Sequence, residues 1–299
     1  MFLILVLCAT TPWSADKVEI LREGGESIVH LIGNVLIEDT KTRITSEEAR
    51  LYENQHYVVL ERSVKIEDNN GDITADFAVY HFQDRRGVLR GNVILTAQDE
   101  TIRADSLLYR GTEESVEMYE NIDIEDKKNN LRAYGSRGWY DLAEDKGGLT
   151  GKPQMHILRT EKDPVIMSAR EFHLHTNENL FYGHDSVVAV IDSMTVFCDS
   201  IVYDMEVDTG TVVNPYVVEQ QNILKGTSGR FRMKENDIDF FEVREGWSKY
   251  FSESGSKNVV EGETIHIVFR DSKAQTITVQ GSAKGTMTLK QEVEEDASD

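Results

Sequence analysis

Residues 62–80 read RSVKIEDNNGDITADFAVY, and their alternation decides the fold. In the first half Val64 and Ile66 alternate with Lys65 and Glu67. In the second, Ile73, Ala75, Phe77 and Val79 alternate with Thr74, Asp76, Ala78 and Tyr80. A period of two is the strand period, because successive side chains leave opposite faces of a pleated backbone. Between the halves lies Asp68-Asn69-Asn70-Gly71-Asp72, made of residues that tolerate the left-handed conformations of tight hairpins. The stretch therefore predicts a hairpin with one apolar and one polar face.

The same layout recurs on both sides. IGNVLIED (32–39) precedes ITSEEARLY (44–52), RGNVILT (90–96) precedes IRADSLLY (102–109), and ENIDIED (120–126) precedes LRAYGSRGWY (131–140). The anchors Gly33, Arg62, Gly91 and Glu120 fall 29 residues apart. A fixed period in this range signals stacked supersecondary units that cannot bury their apolar faces singly. The second half keeps the layout with looser spacing: TGKPQMHI (150–157) with VIMSAREFHLH (165–175), and YGHDSVVAV (182–190) with VFCDSIVY (196–203). NPYVVE (214–219) with ILKGTSGRFRM (223–233), EGWSKYF (245–251) with VVEGETIHIVF (259–269), and a partial QGSAKGTMTL (280–289) complete it. No stretch shows a sustained helical period. The expected fold is all-β, an elongated twisted jellyroll or solenoid of stacked antiparallel repeats.

Four segments follow. Residues 1–15 read as a signal peptide, since the apolar run 2–10 is too short to span a bilayer of about 30 Å and the composition breaks at Asp16. Residues 16–146 hold repeats one to four. Residues 147–290 hold further repeats, either continuous with the first or a second module. Residues 291–299 form an acidic tail.

Function classes are bounded by charge and by what is repeated. The net charge of −21 gives no basic footprint for nucleic acid and disfavours anionic membranes as a whole. It also argues against a tightly held phosphorylated ligand. Asp76, Asp105 and Asp199 recur at one place in the repeat, and a residue repeated in every unit serves strand or turn structure more naturally than an asymmetric active site. His173 and His175 share a strand face without a third ligand pattern, so no metal site is assigned. Cys198 sits in the apolar strand MTVFC, where a buried thiol is the default. No catalytic residue and no cofactor are expected.

The pattern G-N-V-x-I, a polar turn, then I-x-A-D followed by Tyr resembles the OstA-like family, which includes the periplasmic lipopolysaccharide-transport protein LptA. The residues carrying the resemblance are Gly33-Asn34-Val35, Gly91-Asn92-Val93, Ile73-Thr74-Ala75-Asp76 and Ile102-Arg103-Ala104-Asp105, with a looser echo at Val196-Phe197-Cys198-Asp199 and Tyr203. The resemblance is clear over 28–143 and weaker to about 289. It implies a periplasmic β-jellyroll that carries lipopolysaccharide by its lipid A acyl chains toward the outer membrane. It also implies joining to other jellyrolls, or to copies of itself, through edge strands. The interior residues expected to contact lipid are Val35, Ile37, Ile44, Val64, Ile66, Ile73, Phe77, Val93, Leu95, Ile102, Ile122 and Ile124. A structural or adhesive β-solenoid without lipid cargo is the competing reading, and a glycan-degrading β-helix is a third.

Overall fold

The computed structural model describes residues 12–38, 42–68, 71–97, 99–141, 143–235, 237–252, 255–270 and 273–289. Eleven residues of the expected leader and the expected acidic tail lie outside them. Among the described residues the chain is antiparallel β throughout, apart from a three-residue 3-10 turn at Thr176–Glu178. It divides into two compact units. The first comprises Met1–His156 and Glu171–Asn177, and the second Ile157–Arg170 and Glu178–Asp299.

In the first unit the strands are β1 (Trp13–Ser14), β2 (Lys17–Glu23), β3 (Glu26–Glu38), β4 (Thr42–Tyr52), β5 (Tyr57–Asp68) and β6 (Gly71–His81). They continue with β7 (Arg86–Ala97), β8 (Glu100–Arg110), β9 (Ser115–Asp126), β10 (Leu131–Asp141) and β11 (Lys146–Thr150). Each of β3 to β10 pairs antiparallel with the next, an up-and-down meander that the short polar turns dictate. The first rung is split, β1 and β2 both pairing with β3. Trp13 stands opposite Ile37, so the sheet begins upstream of the expected cleavage at Asp16.

Every long strand is interrupted near its middle. Strands β3, β5, β7 and β9 each place two successive residues at positive φ: Gly33–Asn34, Arg62–Ser63, Gly91–Asn92 and Glu120–Asn121. Two residues there oppose one on the neighbour, as in Glu61/Val64 against Phe77/Ala75, which is a β-bulge. The 29-residue anchors of the sequence are thus the first residues of the bulges. The bulge also sets side-chain parity. A bulged strand keeps its inward set in step (Val58, Leu60, Val64 and Ile66 in β5), whereas its partner shifts by one residue.

Phe77 is corrected by that shift. In β6 the buried set runs Ile73, Ala75, then Ala78 and Tyr80, so Phe77 and Val79 leave from the other face. Phe77 stands opposite Glu61 and Arg90, and is half-buried. In every second strand the alternation is broken opposite its neighbour's bulge.

Both halves of each strand bury one face. Leu31, Ile44, Leu60, Val64 and Ile122 are all at most 1–2% exposed. Among the described residues of this unit no helix or separate layer covers that face, so the sheet covers itself, folded along the line of bulges. That crease makes the meander a jellyroll.

In the second unit the strands are β13 (Lys162–Ser168), β15 (Leu180–Ile191), β16 (Met194–Asp204), β17 (Thr209–Val213), β18 (Tyr216–Glu219), β19 (Asn222–Lys225) and β20 (Ser228–Lys234). β21 (Asp237–Phe251), β22 (Lys257–Arg270), β23 (Lys273–Gln280) and β24 (Lys284–Thr288) follow. β12 (Gln154–Arg159) straddles the division, and β14 (Glu171–His175) pairs with β11 in the first unit. Here the crease is often a complete break. β16 pairs with β17 over its second half and with β18 over its first, and the gap between them is Asn214-Pro215. A proline has no N–H to give a ladder, so a bulge becomes a break. The looser spacing read in the second half of the sequence has this origin.

Candidate functional site

The interior face of the first unit holds the expected contact residues, and the register orders them. Ile37 stands opposite Ile44, Ile44 opposite Ile66, Ile66 opposite Ile73, Ile73 opposite Leu95, Leu95 opposite Ile102, and Ile102 opposite Ile124. One aliphatic ladder therefore crosses seven strands on one face, with Ala133 of β10 next in line. Cross-strand neighbours lie about 4.5–5.5 Å apart, so the row is continuous apolar surface. Ile37, Ile44, Ile66, Ile73 and Leu95 are buried, and Ile102 and Ile124 are half-buried toward the end of the row.

A second row runs nearer the crease. Val35 faces Ser46, Val64 faces Ala75, Val93 faces Ala104, and Ile122 faces Gly135. A branched aliphatic residue meets a small one in each repeat, which removes side-chain volume beside the isoleucine ladder. Ser46 is only 4% exposed, and its hydroxyl donates to the Glu48 carbonyl at 3.0 Å, so it adds no unsatisfied polar group to the face.

The crease itself is closed by one repeated bond. The Asn at the second bulge position donates its side-chain amide to the Asp of the A-D motif: Asn92 to Asp76 at 2.8 Å and Asn121 to Asp105 at 2.8 Å. Asn34 reaches Asp16 at 2.9 Å, and Asn214 reaches Asp199 at 2.7 Å. Where the repeat carries Glu47 and Ser63 in those places, the Ser63 hydroxyl donates to the Glu47 carboxylate at 3.2 Å. All of these atoms lie on the exposed side. The recurring aspartates are structural clasps.

Beyond the crease the interior carries Leu60, together with Ala78, Tyr80, Leu107 and Tyr109, and the parity shift hid these last four from uninterrupted alternation. Burial pushes the Tyr80 hydroxyl up to about 12 and raises that of Tyr109, so both stay neutral donors. The recurring Tyr at the end of I-x-A-D…Y was the signal that could have placed them inside.

The remaining candidates lie elsewhere. His173 packs edge-on against Trp139 at 5.9 Å between ring centres and sits 3.5 Å from Glu171. Among the described residues no three His, Cys, Asp or Glu side chains are placed to hold a metal ion. Cys198 is buried, and its burial pushes the thiol up to about 12.

A family model described as LptA/(LptD N-terminal domain) LPS transport protein matches residues 13–115 and again residues 72–180. The two matches are offset by about two repeat periods and together span more than half of the chain. No curated protein matches it. Among solved structures it is similar to LptH from Pseudomonas aeruginosa, described as the LptA homologous periplasmic component of the lipopolysaccharide transport device. That similarity stands at 14% identity and a TM-score of 0.32, covering 36% of this chain and 76% of LptH. A match over residues 13–180, on a crease-and-ladder jellyroll, makes this chain a member of the LptA/LptD N-terminal-domain family of lipopolysaccharide transport proteins.

Proposed function

We propose that this chain takes the acyl chains of lipopolysaccharide into the interior of its first unit and serves in the periplasm as part of the route to the outer membrane. The observation that carries the reading is the aliphatic ladder from Ile37 to Ile124, flanked by the small residues Ser46, Ala75, Ala104 and Gly135. Each methylene moved from water onto such a surface gains about 0.8 kcal/mol, so one long chain supplies several kcal/mol without any polar clamp. No bond in the cargo has to be broken or made for this.

The end rungs support edge-to-edge joining with other jellyrolls. In the first unit β2 pairs with β3 alone among the described strands, and Ile20 is 70% exposed. In the second unit β23 and β24 pair with β22, and Met287 is 67% exposed. Unpaired edges are templates for added strands. The second unit carries the same creased strand repeat within itself.

Equilibrium binding to lipopolysaccharide, to its fully deacylated form and to its dephosphorylated form tests the reading. Binding should vanish with the acyl chains and persist without the phosphates. Binding that survives deacylation but is abolished by dephosphorylation would overturn it.

A further inference from the structure

We propose that the turn between β6 and β7 carries an anion site at the rim of the interior, centred on Arg85, that takes a phosphate monoester on the sugar end of the lipid. The inference rests on the lipid-carrier reading above and deepens it. Arg85 sits at φ +51° in that turn, and its carbonyl accepts the Gly111 amide at 2.9 Å, which pins the turn against the end of β8. Its guanidinium lies against the hydroxyls of Tyr80 and Tyr109, the last inward-facing residues of β6 and β8. Two glycines make the room. A Cβ on Gly111 would fall 2.9 Å from the Arg85 Cβ and 3.0 Å from the Tyr109 hydroxyl, and Gly87 lies beneath the Tyr80 ring.

The Arg85 Nε is buried with no hydrogen-bond partner, and a buried orphan donor on a charged group requires an explanation. In a chain with 53 acidic and 32 basic residues, most described arginines sit on a carboxylate. Among the described residues no such ion pair holds Arg85 or the adjacent Arg86. Arg86 stands in register between His81 and Arg110 on the outer face, with Arg110 already paired to Glu117. Exposed Glu114 is the acidic group that acts on Tyr109. A guanidinium whose Nε has no partner, beside a second, exposed arginine, fits a tetrahedral oxyanion, for which arginine offers paired donors. The site lies where the inward rows meet a turn, so an acyl chain on the interior face would present its head group there. The charge of the whole chain argues against a phosphorylated ligand, and Asp84, Glu113 and Glu114 stand near this rim, so the site rests on Arg85 and Arg86, which no ion pair among the described residues neutralises.

The test compares lipopolysaccharide bearing its lipid A phosphates with the dephosphorylated form, on the full chain and on Arg85→Gln and Arg86→Gln variants, with circular dichroism to confirm folding. The wild-type chain should favour the phosphorylated form by about tenfold, the size expected for charge-assisted hydrogen bonds. Arg85→Gln should abolish that preference while leaving affinity for the dephosphorylated form unchanged, and Arg86→Gln should reduce it. Equal affinity of the wild-type chain for both forms, or an undiminished preference in Arg85→Gln, would overturn the site while leaving the carrier reading intact. No binding of either form by the wild-type chain would overturn both. Inorganic phosphate at millimolar concentration should not raise Tm. A rise present in the wild-type chain and lost in Arg85→Gln, without any lipid preference, would show a free-anion site and refute a head-group one.

Discussion

Asn92 and Asp76 are 16 residues apart in sequence, on β7 and β6, and a 2.8 Å hydrogen bond from amide to carboxylate joins them across the crease. The same bond recurs at Asn121–Asp105, Asn34–Asp16 and Asn214–Asp199. Asp76 is the one residue that faces the bulge of β5, and it also holds the bulge of β7. Replacing it with Ala leaves Asn92 at φ +48° without its partner. Asp76→Ala and Asp105→Ala should each lower stability by about 1 kcal/mol, read from urea denaturation midpoints. The double variant should be close to additive, since the two clasps sit in successive units.

The bulge positions also predict a contrast of sign. Gly91 and Glu120 occupy the same place in the repeat, at φ +74° and +61°. A side chain at this φ costs roughly 1–2 kcal/mol, partly offset by the entropy glycine loses on folding. Glu120→Gly should therefore stabilise by about 0.5–1 kcal/mol. Gly91→Ala should destabilise by more, because its Cβ would fall 2.5 Å from the Asp76 carboxylate. Thermal and urea midpoints of the two variants should move in opposite directions.

Glu242 predicts an acid limb in the second unit. Arg230 grips it through Nε at 2.8 Å and Nη2 at 3.0 Å, and this hydrogen bond holds the carboxyl below the usual glutamate range despite partial burial. A folded-state value below the unfolded one means that stability is present above the unfolded value of about 4.5 and is lost as pH falls through the folded one. Tm should fall on acidification below about pH 4.5, and Glu242→Gln should flatten that limb while lowering Tm at pH 7.

Cys198 predicts chemical silence. Burial raises its thiol to about 12, so almost no thiolate exists at pH 8. A thiol reagent should fail to label Cys198 in the folded protein over hours, read by peptide mapping that separates it from Cys8, and should label it fully on unfolding in guanidinium.

Much of this architecture was legible because it repeats. Val64 and Ile66 against Lys65 and Glu67 gave the strand period, and Gly33, Arg62, Gly91 and Glu120 gave the unit length. What alternation could not reveal was the crease. A bulge adds a residue to one strand and shifts its partner by one, which moved Phe77 to the outer face and brought Ala78 and Tyr80 inside. Such a shift depends on φ at two residues, and Arg62–Ser63 and Glu120–Asn121 carry no glycine to announce it. The rim was hidden for a different reason. Net charge averages over the whole surface, whereas Arg85 is placed by a hairpin turn and by the vacancies at Gly87 and Gly111.

The central claim is that acyl chains lie along the isoleucine ladder, and site-specific photocrosslinking tests it most directly. A photoreactive amino acid would replace Ile37, Val64 or Leu95 on the inward face, and Lys65 or Glu67 on the outward face of β5. Each folded variant would be irradiated with lipopolysaccharide. Strong crosslinks from the three inward positions and none from the outward pair are the expected result. Crosslinks of equal strength from both faces, or none from the inward set, would contradict an acyl-chain interior.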